Sequence, residues 1–123
     1  MRALPPVWLA IGIAASGCAP PAHDAHVASM HGDPERGRAA LAALECGACH
    51  AIPGVPGPRG QVGPPLAGFA NSVYIAGRFP NEPETLARWV REAPAMASET
   101  AMPAIAMSEA QAHDIAAYLL TLD

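Results

Sequence analysis

Apolar and polar positions along the chain fall into three stretches with helical spacing. The first opens at Asp33-Pro34, an aspartate able to cap free N–H groups followed by a proline at the first helical position, where no donor is needed. Gly37, Leu41 and Leu44 then share one face at i, i+4 and i+7, which predicts a helix from Pro34 to about Leu44. A mid-helix glycine costs about 1 kcal/mol relative to alanine, and close approach of another helix would account for Gly37. The second stretch starts near Glu82-Pro83 and is expected to end before Pro94, with Leu86, Trp89 and Val90 on its apolar face. The third starts at Ser108. Ser108-x-x-Gln111 has the form of a capping box, Met107 can act as its hydrophobic staple, and Ile115, Tyr118, Leu119 and Leu122 make the apolar face. No run alternates β-branched with polar residues, so no strand is predicted. The expected fold is all-α with long loops.

Between the first two helices, residues 53–65 carry Gly54, Gly57, Gly60 and Gly63 at collagen-like spacing. Four such triplets cannot nucleate a triple helix inside a small domain, and the segment reads as a stiff irregular loop. Residues 1–17 have the pattern of an export signal: Arg2, an apolar stretch from Leu4 to Ala15, then small residues before Cys18. Ala15-Ser16-Gly17-Cys18 resembles the bacterial lipoprotein signal, with Ala15 where that signal usually has Leu, and the resemblance implies lipidation at Cys18. Residues 18–32 then form a tether, about 20 Å from end to end for a flexible chain of that length, and residues 33–123 the folded domain. His23, His26 and His31 in the tether could meet a divalent metal, although histidines scattered in such a stretch are ordinarily just solvated.

Composition changes the picture in two ways. Of 123 residues, 28 are alanine and only six are aromatic, so a domain of this size is short of side-chain volume for its core. Something other than side chains is expected to complete it. The formal charge is −4, all seven basic residues are arginine, and they form no cluster. That excludes nucleic acid as an expected partner, and a basic membrane-surface helix as well.

Cys46-Gly47-Ala48-Cys49-His50 carries the candidate chemistry. On a helical turn, positions i, i+3 and i+4 point to one side. Two thiols so placed can form thioethers with the vinyl groups of a haem, and the adjacent imidazole then ligates the iron. The spacing suits the alternatives less well. Adjacent Cys49 and His50 would struggle to share a tetrahedral zinc with Cys46. A thioredoxin-type pair wants a βαβ setting, and a structural disulfide leaves His50 without a role. A second iron ligand must come from Met96, Met102, Met107 or His113. Met102 is preferred: Pro103 after it fixes the backbone, whereas Met107 staples a helix and His113 lies off the apolar face.

With these motifs in place, residues 33–123 resemble class I c-type cytochromes, bacterial mono-haem cytochrome c in particular. The marks are GDPERG before CGACH, GPPL at 63–66, NEPETLARWV at 81–90, AMP at 101–103 and the closing SEAQAHDIAAYL. The resemblance implies the cytochrome c fold, with Gly37 and Leu41 crossing Ile115 and Tyr118. It implies one haem c bound through Cys46 and Cys49, with His50 and Met102 on the iron. It also implies a Pro64 carbonyl that accepts the His50 ring N–H, and Trp89 and Val90 near the haem on the Met102 side. Two departures stand out. An arginine common after the GPxL turn is replaced in the Asn71-Ser72 stretch, leaving Arg59 or Arg78 as weak substitutes, and the lysine-rich docking face of mitochondrial cytochrome c is missing.

The function this implies is one-electron transfer without bond chemistry, on the periplasmic side of a bacterial membrane. The implied partners are a quinol-side donor and a terminal oxidase or reductase. Two other readings remain: a haem-based ligand binder or peroxidase-like protein with an open sixth site, and a fixed electron-transfer subunit of a dehydrogenase or oxidase.

Overall fold

Three helices wrapped by long loops make up the computed structural model, which describes residues 31–123. The signal segment, Cys18, His23 and His26 lie outside the described residues. Helix α1 spans Pro34–Ala43, and Asp33 caps it by accepting the Arg36 N–H at 2.9 Å. A turn of 3-10 helix follows at Cys46–Ala48 and another at Phe69–Asn71. Helix α2 covers Pro83–Met96 and helix α3 Glu109–Leu119. The capping box at Ser108 is complete: its Oγ accepts the Gln111 N–H at 3.1 Å, and Gln111 Oε1 accepts the Ser108 N–H at 3.0 Å. No described helix is long and apolar enough to cross a membrane.

Helix α3 packs against both α1 and α2. The contact with α1 is close because Gly37 has no side chain; a Cβ there would overlap the Asp114 carbonyl oxygen. Leu41, Ile115 and Tyr118 are buried around this crossing. The Asp114 carboxylate locks it, accepting the Asp33 backbone N–H at 2.7 Å and two Arg36 N–H groups at 2.8 and 2.9 Å.

Three sequence-based expectations change. Helix α2 breaks ahead of Pro94 as expected, at Glu92, which leaves helical geometry (φ −139°, ψ 41°); what was not expected is that a fresh turn follows and carries the element on to Met96. Pro94 then causes no clash with the preceding turn. A strand pair also exists: β1 (Tyr74–Ile75) runs antiparallel to β2 (Phe79–Pro80), with Ile75 opposite Phe79. Two residues per strand are too few for a period-2 pattern, and the pair leaves the all-α class intact. Finally, His113 is buried at 6% exposure rather than lying off the apolar face. A helix covered on two sides hides more positions than a single amphipathic stripe contains.

Candidate functional site

Helix α1 gives way to the Cys46 turn through Glu45, which takes the left-handed conformation (φ 55°, ψ 31°). Two amides then converge on one acceptor: the Cys46 carbonyl receives the Cys49 N–H at 3.2 Å and the His50 N–H at 3.1 Å. The turn therefore carries Cys46, Cys49 and His50 as a unit. Cys46 and Cys49 are both half-buried, and Cys46 packs against the apolar core.

The glycine-rich segment is a strap over this turn. Gly60 N–H bonds to the Gly47 carbonyl at 2.8 Å, Gly63 N–H to Cys49 at 2.9 Å and Leu66 N–H to Ala51 at 2.9 Å. It delivers the Pro64 carbonyl to 2.7 Å from His50 Nδ1. A carbonyl can only accept, so Nδ1 carries the proton and Nε2 keeps its lone pair free to bind a metal. Gly63 is required beside the ring, since a Cβ there would run into His50 Cε1. The far end of the strap is pinned by Tyr118, whose hydroxyl donates to the Pro53 carbonyl at 2.7 Å.

Met102 stands on a separate loop after α2, half-buried against the same apolar core that Cys46 touches. Thr100 Oγ1 accepts its N–H at 3.2 Å. Two polar contacts tie this loop to the rest: the Ile105 N–H bonds to the Arg91 carbonyl at 3.0 Å, and Arg78 pairs with Glu99. The Glu99 carboxyl is held below the ordinary carboxylate range by its own backbone N–H, with Arg78 beside it. Trp89 is buried in α2, its ring 5.8 Å from that of Phe79, and Val90 is buried next to it.

The structure thus brings Cys46, Cys49, His50 and Pro64 together through direct hydrogen bonds, and sets Met102 and Trp89 on neighbouring elements around one core. Arg78 pairs with Glu99, and the sequence offered no sign of that. Nor was Asn81 foreseeable; its Nδ2 donates to the carbonyls of Ser72 at 2.9 Å and Phe69 at 3.2 Å, fixing the loop before α2. The signal for both was absent because each partner is set by tertiary approach.

This donor set fits a haem. It supplies two thiols, an imidazole with a free Nε2, and a half-buried apolar rim that includes Leu44, Phe69, Phe79, Met96 and Met102. Among the described residues no group of three or more His, Cys, Asp or Glu could hold a bare metal ion, which leaves the zinc alternative without support. A family model described as Cytochrome c matches residues 34–123. No curated protein matches the chain.

Proposed function

The chain belongs to the cytochrome c family, which makes it a haem-binding electron-transfer protein, and we propose that His50 and Met102 ligate the iron of a single, coordinatively closed carrier. The observation that carries this reading is the hydrogen bond from His50 Nδ1 to the Pro64 carbonyl at 2.7 Å. It fixes tautomer and ring direction together, as a metal-bound imidazole requires. Haem c, bound covalently through Cys46 and Cys49, supplies a one-electron iron couple when present.

The chain's own residues do the rest. Pro64 orients the imidazole and raises its donor strength. Met102 offers a thioether, a soft donor that favours Fe(II) and so raises the potential. Trp89 and Val90 add apolar bulk that keeps water from the core. With His50 and Met102 both holding the iron, a substrate would find no open site. The protein carries electrons and catalyses no bond chemistry by itself.

The same reading places the carrier on the periplasmic side of a bacterial membrane, held by a lipid on Cys18. It would move electrons between a quinol-side donor and a terminal oxidase or reductase. Cys18→Ser should shift the matured protein from the membrane fraction to the soluble fraction; unchanged fractionation would remove the anchor. Ligation is tested by mixing the reduced protein with carbon monoxide at neutral pH. The wild type should resist binding, and Met102→Ala should bind readily. The variant's potential should fall by on the order of 0.1 V or more, within the roughly 0.8 V that axial ligands span. Immediate binding by the wild type would instead indicate an open site and ligand or peroxide chemistry.

A further inference from the structure

The short hairpin of β1 and β2 is held at both ends. At its tip the Arg78 N–H bonds to the Ile75 carbonyl at 3.0 Å, and the two residues between them, Ala76 (φ 52°) and Gly77 (φ 68°), are both left-handed. A turn of this kind matches the twist of the strands it joins, but it puts an alanine where glycine sits without strain, at a cost of about 1 kcal/mol. At the base the Asn81 N–H bonds to the Val73 carbonyl at 3.0 Å, and the Asn81 side chain ties in Ser72 and Phe69. Ile75 is buried and the Phe79 ring lies against Trp89, so the hairpin is also anchored to the core and to α2. This anchored arm carries Arg78.

Arg78 meets Glu99, three residues before Met102 on the loop that follows α2. Thr100 links the two: its N–H bonds to the Ala97 carbonyl at 3.1 Å, and its Oγ1 accepts the Met102 N–H at 3.2 Å. A restraint on Glu99 therefore reaches the methionine backbone through one residue. The two side chains of the pair are 55% and 61% exposed, so their attraction is modest and open to screening by salt. Strain of the kind stored at Ala76 persists where the surrounding structure holds it in place, and here it sits two residues from the arginine that grips the loop.

We propose that the hairpin braces the Met102 loop, and that Arg78 is a positioning residue which acts through Glu99 to keep the thioether on the iron. The proposal rests on the reading that Met102 is an iron ligand. It makes the hold on Met102 sensitive to salt, because the pair that supplies it lies in water. Release of Met102 is a ligand exchange. A neutral donor such as imidazole brings a nitrogen lone pair to the iron, the Met102 sulfur leaves, and neither the oxidation state nor the proton count changes. The loop must move for this to happen, so the Arg78–Glu99 pair is lost in the imidazole-bound state. Whatever the pair contributes is then subtracted from the affinity for imidazole.

The test is a titration of the ferric holoprotein with imidazole, followed by loss of the far-red sulfur-to-iron band. Arg78→Gln should raise the affinity for imidazole roughly threefold, in line with an exposed ion pair. Arg78→Lys should stay near the wild type, and the charge exchange Arg78→Glu with Glu99→Arg should recover most of the difference. Raising the ionic strength from about 0.01 to about 1 M shortens the Debye length from about 30 to about 3 Å. That should raise the wild-type affinity by a similar factor and leave Arg78→Gln unmoved. A pair that only stabilises the fold would persist with imidazole bound. Arg78→Gln would then lower the urea midpoint and leave the imidazole affinity unchanged, and that result overturns the proposal. So does a loss that the charge exchange fails to repair, or a salt response in Arg78→Gln equal to that of the wild type. The wild-type spectrum before imidazole is added separates the two failures. A missing far-red band defeats Met102 ligation itself, whereas a band that is present, with affinities indifferent to Arg78, defeats only the brace.

Discussion

The Asp114 carboxylate, 9% exposed, accepts three hydrogen bonds from the first turn of α1 and its cap. Burial works to raise its pKa, but the Arg36 guanidinium and the Asp33 N–H outweigh it and hold the carboxyl below the ordinary carboxylate range. A carboxyl depressed in the folded state stabilises the fold above its unfolded pKa, and that contribution is lost as pH falls through the folded value. Asp114→Asn should therefore cost about 1–3 kcal/mol at neutral pH. The gap between wild type and variant in thermal melts should close as the solution is acidified below the ordinary carboxylate range. A gap that stays constant from pH 7 to pH 2 would show that the charge on Asp114 is immaterial. His113, its immediate neighbour, is a contrasting case: its buried Nδ1 has no hydrogen-bond partner among the described residues, and its Nε2 lies 3.7 Å from Glu84 and 3.9 Å from Glu109.

Helices α1 and α3 meet where Gly37 removes a side chain, and this crossing brings the first and last described helices together. Gly37→Ala sets a methyl group against the Asp114 backbone, which no rotamer change can relieve, and overpacking of this kind costs about 1–3 kcal/mol or more. Chemical denaturation of the holoprotein should show a lower midpoint with an unchanged slope; an unchanged midpoint would mean that the helices do not approach as described. At this scale much was legible in the sequence. The Asp33-Pro34 start, the Ser108 capping box and the Gly37 notch are local signals, each readable from residues within one turn. What escaped reading depends on partners far along the chain. Arg36 and Asp114 are 78 residues apart, and Tyr118 reaches Pro53 across 65. The kink at Glu92 was hidden because Pro94 reads as a stop until the backbone ahead of it is seen to yield. For the site, the Cys46–His50 motif announced itself, and the Pro64 carbonyl followed from the family resemblance. The contacts that hold the Met102 loop, Arg78 with Glu99 and Ile105 with Arg91, had no counterpart in local pattern.

As a whole the molecule is a small alanine-rich shell whose core includes a cofactor. Among the described residues sixteen apolar ones form the buried cluster, and half-buried ones, Cys46 and Met102 among them, line its edge. A haem held at that edge would add apolar bulk that a chain with so few aromatics lacks. The division also separates tasks in space, with the proposed iron ligands His50 and Met102 on two loops, structural locks between helices, and a lobe of low charge around the cysteine turn. The central claim is the pair of axial ligands, and the ferric absorption spectrum of the matured holoprotein tests it most directly. The account predicts a low-spin spectrum with the weak far-red sulfur-to-iron band, and loss of that band in Met102→Ala with the haem still covalently attached. A high-spin spectrum without the band, or a band that survives Met102→Ala, would contradict it.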